Sequence, residues 1–332
     1  MPMNPKMPLA VGLPLALFAG LSMPVQGRIN GALGARLDDG LAAAVVSFST
    51  GLVLMVLICA FAPGARSGMR RVLPAVRARK FPWWYLLAGA SGALLVLSQG
   101  VTVALIGIAL FTVAAVTGQS VSGLLVDRLG LGPAGKRSIT PLRVLSALLT
   151  VAAVAWAVSP KFSAGTDPAS WLALVLLPLA AGFLQSFQQA FNGTQSAHYG
   201  SPFPATMVNF IVGTVLLYIA WLVKVAVAGP GNPLPAEWWY YLGGPIGCLF
   251  INFATVLVRS LGVLLTGLGM IAGQVLGSLL LDMLVPAPGT IITTATVLGT
   301  VLTLVAVVLA TLPWPRASFA VLRRRTAGRG RL

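Results

Sequence analysis

Apolar runs of about twenty residues follow one another along almost the whole chain, and they constrain its fold more than any other feature. A helix rises about 1.5 Å per residue, so each run is long enough to cross a hydrocarbon layer about 30 Å thick. Only 8% of the residues are charged, against about 25% in typical soluble domains. So few charges cannot cover a water-soluble surface. The sequence therefore predicts an integral membrane protein and argues against a soluble enzyme or transcription factor.

Pro, Gly and charged residues divide the apolar runs into ten predicted helices. A block of 41 residues from Leu86 to Val126 is too long for one crossing, because a helix of that length would reach about 60 Å. We therefore place a turn near Gly107, and a second turn at Arg259 to Gly262. The predicted spans are about 8–34, 41–62, 83–104, 108–127, 141–158, 169–196, 203–226, 238–258, 262–284 and 290–312.

The positive charges lie mainly between the predicted helices. The chain has 22 Lys and Arg against 6 Asp and Glu, a balance that would favour a nucleic-acid partner in a soluble protein. Here 18 of the 22 cations fall on the side of the N-terminus, and only Arg28, Arg36, Lys161 and Lys224 fall on the other. This asymmetry predicts a multi-pass protein of the cytoplasmic membrane with both termini in the cytoplasm, and no nucleic-acid partner.

The sequence of the first half recurs in the second half. Residues 20–31 (GLSMPVQGRING) match residues 182–193 (GFLQSFQQAFNG) at an offset of 162, which pairs Gln26 with Gln188. After a shorter loop the offset becomes 155, and it pairs the Trp-Trp-Tyr segments that begin at Trp83 and Trp238. An ordered series of matches across eight helices indicates an internal duplication.

Each copy contains five predicted helices. Because five is odd, the second copy enters the membrane from the opposite face. The predicted fold is therefore an all-α integral membrane protein with ten transmembrane helices in a 5+5 inverted-topology repeat, as in many secondary transporters. The predicted boundaries are 1–163 for the first repeat, 164–316 for the second and 317–332 for a basic cytoplasmic tail.

Two motifs resemble a known family. The opening helix carries Gln-Gly-Arg-Ile-Asn-Gly at residues 26–31, and the second helix carries AVVSFSTG at residues 44–51. They are similar to the small five-helix YdcZ-like branch of the drug/metabolite transporter superfamily. The chain resembles a fused tandem of that unit over roughly residues 8–158 and 169–312. The resemblance implies a ten-helix transporter of small molecules and identifies no substrate.

Polar side chains inside the predicted helices are the candidate binding residues. Ser22, Gln26 and Asn30 follow one stripe of the first helix, and the sixth helix repeats this stripe. Amides donate and accept hydrogen bonds, which suits a polar, uncharged solute. The candidate substrate-binding residues are Gln26, Asn30, Gln188, Asn192, Gln185, Ser47, Asn209, Gln119, Gln274 and Arg28.

Two alternatives remain open for these residues. In the first alternative, the amides bind no solute and instead form hydrogen bonds between helices. Each such hydrogen bond would stabilise the packing by roughly 0.6 kcal/mol. The second alternative concerns Arg28. If it is buried, it indicates an anionic ligand, but if it lies near the outer membrane boundary, its guanidinium group would reach the membrane–water interface and bind no ligand.

The acidic residues and cysteines limit the chemistry of the chain. No Asp or Glu falls in the middle of a predicted helix, and Asp127 and Asp282 lie at opposite membrane boundaries. Exporters of lipophilic cations in the resembled superfamily often carry a glutamate in the first helix, where this chain offers amides. Cys59 and Cys248 lie in separate apolar runs. The sequence predicts no catalytic residues, no metal site and no cofactor, hence no enzyme.

The leading hypothesis from these patterns is a secondary transporter of a small polar metabolite or drug that works by alternating access. Its expected partners are the small-molecule substrate and the lipid bilayer, and a homodimer is an open alternative. Two other functions also remain open: a non-transporting membrane subunit or scaffold, and a flippase of a lipid-linked carrier.

Overall fold

The computed structural model describes residues 8–133, 135–136, 138–163, 168–261, 263–286 and 292–311, and its regular elements are all helical. The predicted basic tail lies outside the described residues, as does the side chain of Arg259. Short 3-10 helices at Trp83–Leu87 and Trp238–Leu242 precede the fourth and the ninth α-helix. The α-helices are α1 (Leu9–Leu37), α2 (Gly40–Phe61), α3 (Pro63–Arg77), α4 (Ala88–Ile106), α5 (Ile108–Leu129), α6 (Pro141–Ser163), α7 (Pro168–Tyr199), α8 (Pro202–Ala228), α9 (Gly243–Leu261), α10 (Val263–Leu284) and α11 (Thr294–Thr311).

Each of the ten predicted helices corresponds to one of these α-helices. The predicted turn between the third and fourth is confirmed at Gly107, which ends α4 and precedes α5 with a φ of 80°. Only glycine adopts this backbone region without strain. The other predicted turn is consistent with the end of α9 at Leu261 and the start of α10 at Val263.

Helix α3 was not predicted from the sequence. Its arginines were expected to lie in an irregular connection between the second and third predicted helices. Ala65, Gly68 and Ala75 are buried on one side of α3, while Arg66 and Arg70 are exposed. This pattern makes α3 amphipathic, with small residues toward the bundle and arginines away from it. A basic amphipathic helix of this kind suits the interface of a membrane.

Within the residues that the structure describes, six helical spans are long and apolar enough to cross a membrane. They comprise α1, α2, α5, α7, α8 and the span Trp83–Ile106, which contains α4, and shorter apolar stretches lie in α6, α10 and α11. Apolar side chains also face outward: Ile219, Leu222 and Val223 of α8 are 55%, 58% and 60% exposed. Exposed aliphatic rows are unfavourable in water and suit a lipid environment. The described part of the chain is therefore all-helical, with several helices suited to cross a membrane.

One end of the bundle is held by Asp39, the residue before α2. Its carboxylate accepts hydrogen bonds from two backbone N–H groups in the first turn of α2, at 3.0 and 3.1 Å, and so caps that helix. The same carboxylate accepts a hydrogen bond from Lys224 Nζ of α8 at 2.9 Å. Beyond α8, the Asn232 N–H donates to the Leu37 carbonyl at the end of α1 at 2.7 Å. We name this end of the bundle the Asp39 face.

The opposite end of the bundle gathers around Tyr85. Its hydroxyl donates to the Leu131 carbonyl, after α5, at 3.1 Å, and its own carbonyl accepts a hydrogen bond from Gln195 Nε2 of α7 at 2.9 Å. Helix α3 lies at the same end, where Gly68 packs beside Pro204 of α8. The 22 residues of α2 place this end about 33 Å from Asp39. We name it the Tyr85 face.

Two pairs of helices approach each other closely along glycine-rich stripes, α5 with α7 and α1 with α10. A β-carbon placed on Gly118 would lie 2.0 Å from the Leu179 carbonyl oxygen, and one placed on Gly273 would lie 2.1 Å from the Leu17 carbonyl oxygen. The two contacts are equivalent in the sequence repeat, since Gly273 follows Gly118 by 155 residues and Leu179 follows Leu17 by 162. Small residues permit such contacts between membrane helices, and here two equivalent contacts join one half of the chain to the other.

Asp282 of α10 reaches across the bundle to the start of α5. Its carboxylate oxygens accept hydrogen bonds from the N–H groups of Ile108 at 3.2 Å and Ala109 at 2.8 Å. Arg28 Nη1 of α1 lies 3.9 Å from the same carboxylate, whose side chain is only 3% exposed. Asp282 therefore caps α5 and joins three helices.

We expect Asp282→Ala to lower the stability of the folded protein by about 3 kcal/mol, because two buried N–H groups would lose a charged acceptor. Asp38→Asn is the matched control, since Asp38 is exposed and its φ of 51° is one that asparagine tolerates. Thermal unfolding of the purified protein in detergent measures both changes. Equal melting temperatures for the two variants would contradict a structural role of Asp282.

Candidate functional site

A cavity of about 680 Å³ lies among the helices of both halves. This volume is within the range of small-molecule sites, roughly 300–1,000 Å³. The cavity reaches the Tyr85 face, where Gly132, Pro133 and Pro202 line it. Asp39 and Lys224 form an ion pair at the opposite end of the bundle, and neither belongs to the lining.

Gln26 of α1 and Gln188 of α7 line the cavity at equivalent positions of the repeat. A β-carbon placed on Gly247 of α9 would lie 2.7 Å from Gln26 Nε2, and one placed on Gly92 of α4 would lie 2.6 Å from Gln188 Nε2. These two glycines are 155 residues apart, as the repeat requires. Each amide therefore occupies a niche that a glycine on a neighbouring helix leaves open.

Ser47 of α2 and Asn209 of α8 form a second equivalent pair in the lining. Both residues are 2% exposed, and the Ser47 hydroxyl and both amide atoms of Asn209 have no hydrogen-bond partner in the described part of the chain. A buried polar group without a partner costs about 1–3 kcal/mol. Phe48 and Phe210 follow them in the chain, and their rings contact each other in a tilted arrangement with centroids 5.0 Å apart. The site thus combines free hydrogen-bonding groups with an aromatic surface.

Gln119 of α5 and Gln185 of α7 also line the cavity, joined by a hydrogen bond of 2.6 Å from Gln119 Nε2 to Gln185 Oε1. Their repeat counterparts are Gln274 and Met23, and both of these line the cavity as well. Each pair takes one residue from each half, and one pair consists of two amides where the equivalent pair consists of an amide and a thioether. The cavity is therefore not chemically identical on its two sides.

Near the Tyr85 face, the lining of the cavity contains one acidic and one basic side chain that form an ion pair. Asp127 of α5 and Arg143 of α6 line it and form an ion pair of 2.6 Å. Asn192 of α7 also lines the cavity, and its Oδ1 finds no hydrogen-bond partner among the described residues. A solute entering from this side would meet amides and one compensated ion pair.

Two of the predicted binding residues do not line the cavity. Asn30 is fully buried nearer the Asp39 face, and its Nδ2 donates to Gln99 Oε1 at 2.8 Å. Arg28 lies beside Asp282 and donates to the Val285 carbonyl. The structure therefore brings together eight of the ten candidates and leaves these two outside.

Sequence reasoning missed the apolar part of the site. Phe48, Phe210, Phe250 and Met270 line the cavity between the amides. The signal for the first two was available, because Phe48 and Phe210 are related by the offset of 162. The other two lie in apolar runs where no polar neighbour distinguishes a cavity position from a packed one.

The lining offers groups that can recognise a solute. Among the described residues, no group of three or more His, Cys, Asp or Glu is placed to hold a metal ion. The amides offer both donors and acceptors, while Phe48 and Phe210 offer contact to an apolar body. Such a lining matches an uncharged molecule that carries hydroxyl or amide groups.

We expect Gly247→Ala to impair solute binding while leaving the fold intact, because the three atoms nearest to the added methyl group all belong to the movable end of Gln26. Gly244→Ala on the same helix is the contrasting variant, since its β-carbon would lie 1.9 Å from the backbone carbonyl oxygen of Ser47. It should lose thermal stability instead. Melting curves with and without a stabilising solute separate the two effects. Normal binding by Gly247→Ala would show that the Gln26 niche is unimportant.

A family model described as "Putative inner membrane exporter, YdcZ" matches the chain twice, at residues 11–156 and 173–309. The two matches together cover most of the sequence, with one unit of the family in each half. They confirm the predicted tandem. No curated protein matches the chain.

Proposed function

The chain belongs to the YdcZ family of inner membrane exporters, and from this membership we propose that it exports a small, uncharged polar metabolite or drug by alternating access. The family's description as an inner membrane exporter supports a transporter rather than an enzyme, and a place in the inner membrane. The lining of the cavity supports the solute class, and the internal repeat supports the mechanism.

The proposed architecture is ten membrane-crossing helices in two inverted halves, residues 1–163 and 164–316. Its main support is the recurrence of the same contacts at the repeat offsets. A β-carbon on Gly89 would lie 2.2 Å from the Asn209 carbonyl oxygen, and one on Gly244 would lie 1.9 Å from that of Ser47. Equivalent contacts of this kind are expected when two copies pack about an in-plane twofold axis.

In this proposal the Tyr85 face is cytoplasmic, and both termini lie on that side. The arginines of α3 support this orientation, because basic residues concentrate on the cytoplasmic side of membrane proteins. On the Asp39 face, Lys224 and Arg28 each lie beside a carboxylate, of Asp39 and Asp282 respectively. The cavity then opens to the cytoplasm, where an exporter collects its solute.

Binding would occur between α1 and α7, with Gln26 and Gln188 donating and accepting hydrogen bonds to the solute. Neutral amides fit a solute whose charge is zero, because an isolated charge in the cavity would lack a counter-charge. The nearest carboxylate in the lining, Asp127, is already paired with Arg143. After binding, the two halves would rock, closing the Tyr85 face and opening the Asp39 face.

The observation that carries this proposal is that Gln26 and Gln188, equivalent in the repeat, line a single cavity. A thermal-shift screen of the purified protein against matched neutral, cationic and anionic compounds tests the solute class. At 100 times the dissociation constant, a ligand stabilises the folded state by about 2.7 kcal/mol. We expect neutral polar compounds to raise the melting temperature. Stabilisation by lipophilic cations alone would contradict the proposal.

A second experiment distinguishes transport from a scaffold role. Cysteines introduced by Gln26→Cys and Gln188→Cys should react with a water-soluble thiol reagent from the Tyr85 face, because the cavity would be hydrated. Val113→Cys is the control, since Val113 is fully buried in the apolar core. Protection of positions 26 and 188 from both sides would indicate a dry, non-transporting bundle.

A further inference from the structure

Four buried polar side chains extend the cavity lining toward the Asp39 face. They are Asn30 of α1, Ser47 of α2, and Ser98 and Gln99 of α4, and each is at most 2% exposed. We name them the outer cluster. Asn30 lies one helical turn beyond Gln26, which lines the cavity, and only Ser47 of the four belongs to the cavity lining itself.

Every member of the outer cluster has a polar atom without a partner in the described part of the chain. The atoms are Asn30 Oδ1, Ser47 Oγ, Ser98 Oγ and Gln99 Nε2. Proteins pair the large majority of their buried polar atoms, and inside a membrane no bulk water can take the place of a partner. Four such atoms in one region indicate groups that acquire their partners in another state.

The geometry places the atoms of Asn30, Ser47 and Gln99 together, and Ser98 precedes Gln99 in α4. A β-carbon on Gly243 of α9 would lie 2.1 Å from Asn30 Oδ1 and 3.0 Å from Ser47 Oγ, so both oxygens adjoin this glycine. Asn30 Nδ2 in turn donates to Gln99 Oε1 at 2.8 Å, which leaves Gln99 Nε2 free. The hydrogen bond between Asn30 and Gln99 thus has unpaired acceptors on its Asn30 side and an unpaired donor, Gln99 Nε2, on its other side.

Close backbone packing separates the outer cluster from the Asp39 face. A β-carbon on Gly34 of α1 would lie 2.0 Å from the Gly100 carbonyl oxygen of α4, and Gly31 packs against Val103 one turn earlier. Beyond these contacts, Lys224 binds the carboxylate of Asp39 and fastens α8 to the start of α2. The outer cluster therefore lies between the open cavity and these close contacts at the Asp39 face.

For two of these positions, the repeat indicates their role when their side of the bundle is open. Asn192 and Asn209 are the counterparts of Asn30 and Ser47, and both line the cavity that reaches the Tyr85 face. Asn30 thus occupies, near the closed end of the bundle, the position that Asn192 occupies in the open cavity. If the two halves exchanged their conformations, the Asp39 face would open, and Asn30 and its neighbours would then line the open pathway.

We propose that the outer cluster is a second solute-binding site, which takes the hydroxyl or amide groups of an uncharged solute when the bundle opens toward the Asp39 face. This inference rests on the proposed transport function. The chemistry follows from the free atoms, since Asn30 Oδ1 accepts, Gln99 Nε2 donates and the two serine hydroxyls do either. Arg28 is held by Asp282 rather than by the cluster, so no charged group stands ready for an ionic solute.

The test uses cysteine accessibility in a protein without its native thiols, Cys59→Ala with Cys248→Ala. Ser98→Cys is nearly isosteric and reports on the outer cluster, and Gln99→Cys is the second reporter in case Ser98→Cys does not fold. Lys224→Met removes the ion pair with Asp39 and should favour the open state. We expect a membrane-impermeant thiol reagent on the Asp39 side to modify position 98 at least tenfold faster in the Lys224→Met background.

Acetamide, acetate and methylammonium are the probes for ligand chemistry, because they are similar in size and differ in charge. In the Lys224→Met background, acetamide should slow modification of position 98 at least threefold, whereas acetate and methylammonium should not. Protection by either ion to the same extent would overturn the assignment of an uncharged ligand. Val113→Cys, buried in the apolar core, should stay unmodified throughout.

The reporter Gln26→Cys separates this inference from the transport proposal. If position 26 reacts from the Tyr85 side and positions 98 and 99 stay as protected as position 113 in the Lys224→Met background, the outer cluster is not a solute site. If position 26 is itself protected, the hydrated cavity is absent and the proposed function fails. Size-exclusion chromatography of each variant establishes that the measured rates belong to folded protein.

Discussion

Replacing Gln26 and Gln188 together by leucine is expected to weaken solute binding about 100-fold or more, while the protein still folds. Each amide faces the cavity in a niche formed by a glycine of a neighbouring helix. Loss of two hydrogen bonds at about 1.5 kcal/mol each amounts to roughly 3 kcal/mol, which is more than a hundredfold in affinity. Leucine is close to glutamine in size, so packing around α1 and α7 should change little.

The measurement is the dissociation constant of the most strongly stabilising neutral compound, followed by its uptake into inverted membrane vesicles. Thr300→Val with Thr303→Val is the matched control. It also removes two buried polar groups from one protein, but these bond within α11 and do not line the cavity. This control should bind and transport normally. Normal transport by the double leucine variant would show that the solute binds elsewhere.

Gly118→Ala is expected to destabilise the protein strongly, although it adds only one methyl group. The added β-carbon would lie 2.0 Å from the Leu179 carbonyl oxygen and 2.7 Å from the Phe183 backbone nitrogen. Both obstacles are backbone atoms of α7, so the two helices would have to separate. Overpacking of this kind costs about 1–3 kcal/mol, and at roughly 2–4 °C per kcal/mol the melting temperature should fall by about 5 °C.

The control for this prediction is Gly64→Ala, because a β-carbon on Gly64 of α3 would meet no atom within 4 Å. Alanine favours the helix over glycine, so this variant should melt at the same temperature as the parent protein or slightly higher. Fluorescence-detected melting in detergent compares the two variants directly. If Gly118→Ala melts together with Gly64→Ala, the close approach of α5 and α7 is not a source of stability.

The helix positions were largely predictable from the sequence, because the apolar runs and their breaks at glycine are strong local signals. Gly107 shows this clearly, since the predicted turn coincides with a backbone conformation that favours glycine. Helix α3 was missed even though Ala65, Gly68 and Ala75 lie on one helical face. Its arginines masked that pattern, because charge between apolar runs was interpreted only as a signal of orientation.

The central part of the candidate site could also be predicted from the sequence. The repeat identified Gln26 and Gln188 as equivalent, and they line the same cavity. The position of Asn30 outside the cavity depends on the packing of α1 against α4, where its Nδ2 donates to Gln99 Oε1, and this contact joins residues far apart in the chain. The contact of Arg28 with Asp282 depends on the packing of α1 against α10, which joins residues far apart in the chain.

Sidedness of the two bundle ends is the most direct test of the inverted arrangement. Arg70→Cys in α3 and Asn232→Cys after α8 would each be labelled by a membrane-impermeant thiol reagent in a background without Cys59 and Cys248. Both positions are exposed, and they lie at the Tyr85 face and the Asp39 face respectively. Inverted halves predict labelling of position 232 in intact cells and of position 70 only after the inner membrane is opened. Labelling of both positions from the same side would contradict the inverted arrangement.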